Sequence, residues 1–385
     1  MNCEELKNII SNGEDYYHQF KETITSIDNL AVEIAAFSNS DGGWLIIGVD
    51  DDGQFIGLER DEIKKLNLWI SNATSQKIEP PAYVKTKNIT CYGKTIVAIK
   101  VEKGIAKPYA VNKGEFWVKT GADKRRATRE ELFRLMQASA TLHADEMQTE
   151  VGIDNIDERL FDKYYTEAYL EYIQEVGITK EKLYENLMLL KNGRLTLAGL
   201  LLFGNNVEYV KPQFGIKATF FDENDSFFDK EDIKGNLFDQ YKKGVSFVLR
   251  NSKKVNKDKD FNSPGQSEIP VPVFKELIAN ALLHRDYFID SPVFINIFFD
   301  SIEITSPGVL PNNVNVENIK LGIHIERNPI LVSFMEKVKD FGYTGRGSGI
   351  PRIIRHCRDN TIHVEFKNDV NRNIFSVKLN TPKSH

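Results

Sequence analysis

The sequence lacks the features that mark several classes of protein. It has no apolar run long enough to span a bilayer, and residues 1–20 are polar and acidic, without the pattern of a signal peptide. Its three cysteines, Cys3, Cys91 and Cys357, are scattered and lack the spacing of metal ligands, so we expect neither a disulfide framework nor a zinc site. The sequence therefore predicts a cytoplasmic protein that does not attach to a membrane.

Two further absences limit the functions that the sequence is compatible with. No segment has the P-loop form GxxxxGK[ST], which argues against a helicase motor. The formal net charge is only −5, so a surface for DNA or RNA must be a local basic patch. With 385 residues, 41% of them hydrophobic and 27% charged, the chain exceeds one ordinary core and predicts two or three globular domains.

The most informative local pattern is KELIANALLHRDY at residues 275–287, which predicts an amphipathic helix. Glu276, Asn280 and His284 are spaced four apart and therefore share one face of that helix. A carboxylate and a carboxamide one turn apart can orient a water molecule and hold Mg²⁺ beside a phosphate. The alternative is a solvated stripe on an ordinary helix, and the spacing alone leaves both open.

A glycine-rich turn follows at Gly345, Gly347 and Gly349, ahead of an apolar run. Alternating glycines let backbone amides approach a phosphate at the start of a helix, although glycine-rich turns are also common in loops. In this order the two segments resemble the N box and the second glycine box of the GHKL (Bergerat-type) ATPases. They resemble more closely the divergent ATPase domain at the C-terminus of RecG-related transcriptional regulators. Arg327-Asn328-Pro329 and Thr305–Gly308 stand between the two segments, as in that family.

This resemblance implies a domain that binds ATP with Mg²⁺. It makes Glu276 the catalytic base for attack by water and Asn280 the magnesium ligand. It assigns nucleotide binding to Asn280, His284, Arg285, Gly308, Gly345, Gly347 and Gly349. The GHKL pattern also needs an aspartate before the first glycine box, where this chain has Ser306-Pro307-Gly308, so the usual residue for adenine recognition is missing. Arg285 and Asp286 either take part in nucleotide binding or cap the C-terminal end of the helix. The resemblance leaves open whether the domain hydrolyses ATP.

The N-terminal third resembles a second family. The segments FSNSDGGWLIIGVDDDGQFIGL, KPYAV and FWVKTGADKRRATREEL resemble the AlbA-like DNA-binding domain related to the Schlafen core, over roughly residues 10–140. The resemblance implies an α+β fold that binds nucleic acid. The three acidic residues with which eukaryotic Schlafen cores cleave RNA fall on Glu14, Gln19 and Asp51, with Asp50 beside the last. Because Gln19 is uncharged, Glu14, Asp50 and Asp51 are candidates only for a nuclease remnant, and their alternative is a set of solvated turn carboxylates.

A basic run is the candidate surface for DNA or RNA. It comprises Lys119, Lys124, Arg125, Arg126 and Arg129, with Arg134 one helical turn further on. Such a cluster neutralises phosphates without reading the base sequence. Its alternative is an ordinary solvated face.

Together these patterns predict an α+β protein in three parts. Residues 1–142 form a Schlafen/AlbA-like domain, residues 143–210 a helical linker that includes the linker stretch Met147–Asp157, and residues 211–385 a GHKL-like α/β sandwich. The predicted function is an ATP-switched, nucleic-acid-binding regulator acting in transcription or antiviral defence, assembled as a homo-oligomer. The alternative is a Schlafen-like, metal-dependent nuclease that the C-terminal domain controls.

Overall fold

The computed structural model divides the chain into two compact units, Met1–Leu142 and His143–His385. It describes residues 1–138, 142–170, 177–222, 226–252, 254–255, 266–311, 314–341, 343 and 347–380. Both units combine helices with sheets, which confirms the predicted α+β fold class. No helix among these residues has the length and apolar character needed to cross a bilayer.

The N-terminal unit contains two sheets with helices packed against them. In chain order its elements are α1 (Cys3–Ser11), β1 (His18–Lys21), α2 (Ile27–Asn39), β2 (Gly43–Ile47), α3 (Arg60–Asn72), a π-helical turn (Ala73–Lys77), β3 (Ile78–Glu79), β4 (Val84–Cys91), β5 (Lys94–Val101), β6 (Ala110–Val111), β7 (Glu115–Thr120), β8 (Asp123–Arg126) and α4 (Arg129–Ala138). The strand orders are β1-β2-β5-β4 and β3-β6-β7-β8.

Helix α2 connects the two sheets. It begins at the N-cap Ser26, whose side chain accepts a hydrogen bond from the backbone N–H of Asn29. Its apolar residues pack into the core of the first sheet. At its end, the buried Asn39 donates hydrogen bonds to the carbonyl oxygens of Tyr109 and Trp117, at 2.8 and 2.9 Å. These bonds fix β7, which carries part of the basic run.

The prediction that the chain has no disulfide is wrong. Cys3 on α1 and Cys91 at the end of β4 form a disulfide bond, with Cα atoms 5.5 Å apart. The two cysteines are 88 positions apart, and this separation hides their proximity in the sequence. The bond joins α1 to the second core cluster of the unit, which lies on the other face of the first sheet. Cys357 is a free thiol, buried in the C-terminal unit.

The C-terminal unit is organised around one large mixed sheet. Its first elements are β9 (Gln148–Gly152), α5 (Glu158–Tyr169), α6 (Lys180–Asn186), β10 (Leu190–Lys191), β11 (Arg194–Thr196), α7 (Leu197–Phe203) and α8 (Val207–Val210). There follow β12 (Ile216–Phe221), β13 (Phe227–Ile233), α9 (Leu237–Asn251), β14 (Lys254–Val255), β15 (Gln266–Ser267), α10 (Val271–Leu283), β16 (Val293–Ile297), β17 (Ser301–Pro307), α11 (Val316–Lys320), α12 (Pro329–Met335), α13 (Gly349–Asp359), β18 (His363–Asp369) and β19 (Ile374–Asn380). The large sheet has the order β13-β12-β16-β17-β19-β18.

Helices α9, α10 and α13 cover one face of this sheet, and their apolar sides share its core. Strand β12 pairs with β16 in parallel, and the pairs from β16 onward are antiparallel. Residues 143–210, predicted as a helical linker, also contain β9, β10 and β11, which form a small sheet. Their buried side chains, including Phe161 and Phe203, belong to the same hydrophobic cluster as α10.

Candidate functional site

Helix α10 brings three of the predicted residues to one cavity. Glu276, Asn280 and His284 all line it, at successive turns, as their spacing predicts. The opposite side of α10 is buried against the sheet and α9, which fixes the rotation of the helix. At the C-terminal end of α10, the side chain of Asn328 donates to the carbonyl oxygens of Leu283 and Arg285, at 2.9 and 3.0 Å.

The cavity is lined by an apolar wall and by a few polar side chains. It encloses about 1020 Å³ of non-protein space, including its open mouth. The apolar wall is supplied by β17, β19, α11 and the segments around them, and includes Ile304, Val309, Leu310, Ile319, Ile323, Phe375 and Val377. An apolar cavity with a few convergent polar groups is typical of a site for a small organic ligand.

Glu276 is the most constrained polar group of the cavity. Its side chain is 7% exposed, and Oε2 accepts a hydrogen bond from Nη2 of Arg352 at 2.7 Å. Its other oxygen, Oε1, accepts from Nδ2 of Asn280 at 3.3 Å. Burial raises the pKa of Glu276, while the charge of Arg352 and the two hydrogen bonds oppose this shift. The carboxylate is thus held in place by two named partners.

Two of the predicted glycines make close contacts that a side chain would disturb. A Cβ atom at Gly349 would lie 2.0 Å from Oε1 of Glu276, so an alanine there would displace the carboxylate. Gly347 has a φ of +68°, and a Cβ atom there would lie 2.0 Å from the carbonyl oxygen of Gly322. Gly308 also lines the cavity. The third residue of the predicted turn, Gly345, lies outside the described residues.

His284 ends α10 and is held by a tyrosine. Its Nε2 is 2.8 Å from the hydroxyl oxygen of Tyr343. Burial lowers the pKa of His284 to about 4, and the charges of His324 and Arg327 act in the same direction. The imidazole is therefore neutral at neutral pH. Arg327 lines the cavity as well, and its Nη2 donates to the carbonyl oxygen of Val309 at 2.8 Å.

Arg285, the next predicted binding residue, is not among the residues that line the cavity. Its side chain is buried between Phe214 and Tyr287, with the guanidinium carbon 4.8 and 4.7 Å from the two ring centres. Its Nη2 donates to the carbonyl oxygens of Ile289 and Ser291. These contacts give Arg285 a structural role in the loop that follows α10.

The residues of the cavity fit a magnesium nucleotide. The amide nitrogen of Asn280 is directed to Glu276, so its amide oxygen is the atom that would bind a cation. Mg²⁺ keeps most of its water and binds few protein ligands when a phosphate supplies others. The described residues contain no group of three or more His, Cys, Asp or Glu side chains able to hold a metal by themselves. The amide oxygen of Asn280 is thus the group on this face of α10 that could hold a cation.

Sequence reasoning missed Arg352 and Tyr343, which hold the two ends of the polar row on α10. Arg352 lies three residues after Gly349, one turn into α13. This spacing puts the two residues on the same face of the helix, and it is the sequence pattern that could have pointed to Arg352. For Tyr343 the sequence offers no comparable pattern, because its contact with His284 spans 59 residues.

In the N-terminal unit, most of the predicted basic residues are paired with acidic ones. Lys119 is 5% exposed, and its Nζ donates to Oε1 of Gln19 at 2.7 Å. Burial lowers the pKa of Lys119. The other pairs join Lys124 to Glu33 at 2.7 Å, Arg125 to Glu131 at 2.7 Å and Arg126 to Glu115 at 2.5 Å. Arg129 is exposed at the start of α4. The arginines near α4 are thus more accessible than the lysines.

The predicted nuclease remnant consists of residues with local structural contacts. Oε1 of Glu14 accepts a hydrogen bond from the backbone N–H of Phe20 at 2.6 Å. Oδ1 of Asp50 accepts from the backbone N–H of Gln54 at 2.7 Å, which closes a turn, and Asp51 is exposed in the same turn. Gln19 binds Lys119 and not a neighbouring carboxylate. Glu14 and Asp50 thus have structural roles in binding backbone N–H groups, and the carboxylate of Asp51 is exposed in the turn.

Comparisons with known proteins match the two ends of the chain. Residues 14–128 match the family model described as "Schlafen, AlbA_2", and residues 290–379 match the one described as "Putative ATP-dependent DNA helicase recG C-terminal". The second match begins after α10, so it does not include Glu276, Asn280 or His284. No curated protein matches the chain.

Two solved structures are also similar. The crystal structure of the DIP2311 protein from Corynebacterium diphtheriae shares 20% identity, covering 98% of this chain and 80% of that one, with a TM-score of 0.48. The solution structure of the N-terminal domain of a RecG-related protein from Nitrosomonas europaea, named as an ATP-dependent DNA helicase, shares 18% identity. That match covers 33% of this chain and 94% of that one, with a TM-score of 0.25. From the two family models, the chain carries a Schlafen AlbA_2 domain in its N-terminal unit and a domain of the recG C-terminal family in its C-terminal unit.

Proposed function

We propose that the C-terminal unit binds ATP with Mg²⁺ in the cavity beside α10, and that this binding regulates a nucleic-acid-binding N-terminal unit. The observation that carries the proposal is the cavity itself. Its lining includes the Glu276 carboxylate, the Asn280 amide, Gly347, Gly349 and an apolar wall, and Gly349 lies beside Glu276. The match to a family named after an ATP-dependent DNA helicase supports the same ligand.

Each part of the cavity has a function in this proposal. The apolar wall takes the base, the amide oxygen of Asn280 binds Mg²⁺, and the turn at Gly347 and Gly349 lies against the phosphates. Glu276 is the group that would accept a proton from an attacking water if ATP is hydrolysed. The neutral imidazole of His284, held by Tyr343, offers a hydrogen bond to the ligand without adding charge.

The N-terminal unit is proposed to bind DNA or RNA through the arginines near α4. Arg125 and Arg126 form exposed ion pairs, which are worth little in water and can exchange a carboxylate for a phosphate. Arg129 lies beside them on α4. Lys119 is excluded from this surface, since its ammonium is buried against Gln19. The match to the Schlafen AlbA_2 family supports a nucleic-acid ligand.

The residues that follow the first unit in sequence contact a segment that also lines the cavity, and we propose that regulation acts through these contacts. Residues 143–145 follow that unit in sequence and bind the segment that carries Arg327. Nδ1 of His143 lies 3.1 Å from the carbonyl oxygen of Arg327. Oδ2 of Asp145 accepts from the backbone N–H groups of Ile330 and Leu331, at 2.7 and 3.1 Å. A ligand that moves Arg327 in the cavity therefore acts directly on the start of the second unit.

The experiment is nucleic-acid binding measured with and without Mg·ATP. Labelled single-stranded DNA and RNA are titrated by fluorescence anisotropy at several salt concentrations, with wild type, Asn280→Ala and the control Lys275→Ala. Because coupling between two sites is reciprocal, we expect Mg·ATP to change the affinity about fivefold or more in wild type and the control, and not in Asn280→Ala. An affinity that Mg·ATP leaves unchanged in wild type would contradict regulation. The same assay identifies the nucleic acid, while roles in transcription or antiviral defence and a homo-oligomeric state stay predictions.

A further inference from the structure

Arg327 is a cationic residue of the cavity that binds only backbone oxygens. Its side chain lines the cavity and is partly exposed. Nη2 donates to the carbonyl oxygen of Val309 at 2.8 Å, and Nη1 lies 3.5 Å from that of His284. Within the part of the chain that the structure describes, the guanidinium forms no ion pair with a carboxylate. Burial lowers the pKa of Arg327, and the charge of Asp286 opposes this shift from beyond ion-pair distance.

A role as a helix cap does not account for Arg327. Arginines near the C-terminal end of a helix can stabilise its last carbonyl groups. At the end of α10, however, Asn328 already binds the carbonyl oxygens of Leu283 and Arg285, at 2.9 and 3.0 Å. The contact from Arg327 to His284, at 3.5 Å, is at the limit of a hydrogen bond. Nη1 can therefore turn to another acceptor at little cost, while Nη2 keeps its own partner.

The turn after β17 leaves room for this guanidinium beside the cavity. Gly308, which also lines the cavity, has a φ of +94°, and a Cβ atom there would lie 2.7 Å from Nη1 of Arg327. A side chain at this position would therefore push the guanidinium aside. The position of the charge thus depends on a glycine of the cavity itself.

The charges of the cavity lining do not cancel. The carboxylate of Glu276 is neutralised by Arg352, at 2.7 Å. His284 is neutral at neutral pH, because burial lowers its pKa to about 4, and Asn280 carries no charge. The positive charge of Arg327 therefore has no counter-charge in the lining, and a confined charge is costly until it has one. A ligand with a negative charge supplies it.

We propose that Arg327 supplies the counter-charge for the phosphate chain of the nucleotide, with Nη1 donating to a phosphate oxygen. This inference rests on the proposed function of the cavity and adds the residue that recognises the charge of the ligand. A guanidinium binds phosphate through short, charge-assisted hydrogen bonds. The carbonyl oxygen of the same residue lies 3.1 Å from Nδ1 of His143. Phosphate recognition and the contact with the start of the second unit thus meet in one residue.

Isothermal titration calorimetry with the full chain compares a charged and a neutral ligand. Mg·ATP and adenosine are titrated into wild type, Arg327→Gln and Arg327→Lys, with Arg355→Gln, at an exposed position of α13, as the control. We expect Arg327→Gln to weaken Mg·ATP binding about tenfold to hundredfold and to leave adenosine binding within about twofold of wild type. Arg327→Lys keeps the charge, so its affinity for Mg·ATP should lie between those of wild type and Arg327→Gln. Arg355→Gln should bind both ligands like wild type.

The outcomes separate this inference from the proposed function. Mg·ATP binding that is equal in wild type and Arg327→Gln overturns the inference and leaves the proposed function standing. An equal loss of Mg·ATP and adenosine affinity in Arg327→Gln would show a structural role and would also overturn it. Where adenosine binds wild type too weakly to measure, equal Mg·ATP affinities of Arg327→Lys and Arg327→Gln overturn it in the same way. Wild type that does not bind Mg·ATP overturns the proposed function and the inference together.

Discussion

Asp145 gives the C-terminal unit a pH-dependent stability that one substitution removes. Its side chain is fully buried, and a single oxygen, Oδ2, accepts both backbone hydrogen bonds from the start of α12. Burial raises the pKa of Asp145 to about 6, and the hydrogen bonds from Leu331 and Ile330 only partly offset that effect. Asp145→Asn keeps an acceptor for both N–H groups and cannot ionise.

The sign and size of the effect follow from the two pKa values. The ordinary value is 3.8 and the folded value is about 6, so the folded state binds more protons across that range. The free energy of unfolding therefore falls as the pH rises from about 4 to about 6, by roughly 3 kcal/mol at ~1.36 kcal/mol per pKa unit. The stability of Asp145→Asn minus that of wild type should rise by the same amount between about pH 4 and pH 7. Other titrating groups cancel in this difference.

Denaturant unfolding measures this change in stability separately for the C-terminal unit, which carries Asp145. The three tryptophans, Trp44, Trp69 and Trp117, all lie in the N-terminal unit, so tryptophan fluorescence follows that unit alone. Far-ultraviolet circular dichroism follows both units, and the transition it shows beyond the fluorescence transition reports the C-terminal unit. Parallel stability curves for wild type and Asp145→Asn would refute a buried carboxyl with a raised pKa. Asp145→Ala, which leaves two buried N–H groups without their acceptor, should be less stable than Asp145→Asn at every pH.

Three further predictions address other parts of the chain. Gly349→Ala should displace the Glu276 carboxylate and weaken Mg·ATP binding at least tenfold in calorimetry, and an unchanged affinity would show that the close contact is not needed. Wild type should lose stability on acidification from about pH 6.5 to 4, because the folded pKa of His284, about 4, lies below the unfolded one. His284→Gln should reduce that loss by roughly 3 kcal/mol. An unchanged acid transition would refute this. Cys3→Ser should lower the stability of the N-terminal unit by about 2–4 kcal/mol under oxidising conditions, and a reductant should bring wild type to the same value; tryptophan fluorescence that detects no difference would contradict it.

Helix spacing correctly predicted which side chains share one face of α10. Glu276, Asn280 and His284 meet at one cavity because a 3.6-residue period fixes which side chains share a face. The helix capping box at Thr128 and Glu131 follows the same kind of local pattern, since its two hydrogen bonds join residues three positions apart. The hairpin of β18 and β19 also has a local signature, because alternating apolar residues favour a strand with one buried face.

Contacts between distant segments could not be predicted. The partner of Glu276 is 76 residues away, at Arg352, and the partner of Lys119 is 100 residues away, at Gln19. Each partner changes the chemistry of the residue that it binds. Arg352 neutralises the buried carboxylate of Glu276, and Gln19 holds Lys119 away from the basic surface. The segment Met147–Asp157, predicted as a linker, contains strand β9, because its pairing with β11 is also non-local. The turn at Asp50–Gly53 is likewise followed by a single bridge, between Val49 and Phe55, and not by a strand.

The most direct measurement of the central claim is differential scanning calorimetry with Mg²⁺, with and without ATP. Heat absorption reports both units, whereas tryptophan fluorescence would miss the unit that carries the cavity. A ligand at a hundredfold excess over its dissociation constant adds about 2.7 kcal/mol to the stability of the state it binds. We predict that ATP raises the midpoint of the C-terminal transition in wild type and in Lys275→Ala, and not in Asn280→Ala. An unchanged midpoint in wild type at millimolar ATP, or an equal shift in Asn280→Ala, would contradict a magnesium nucleotide site on α10.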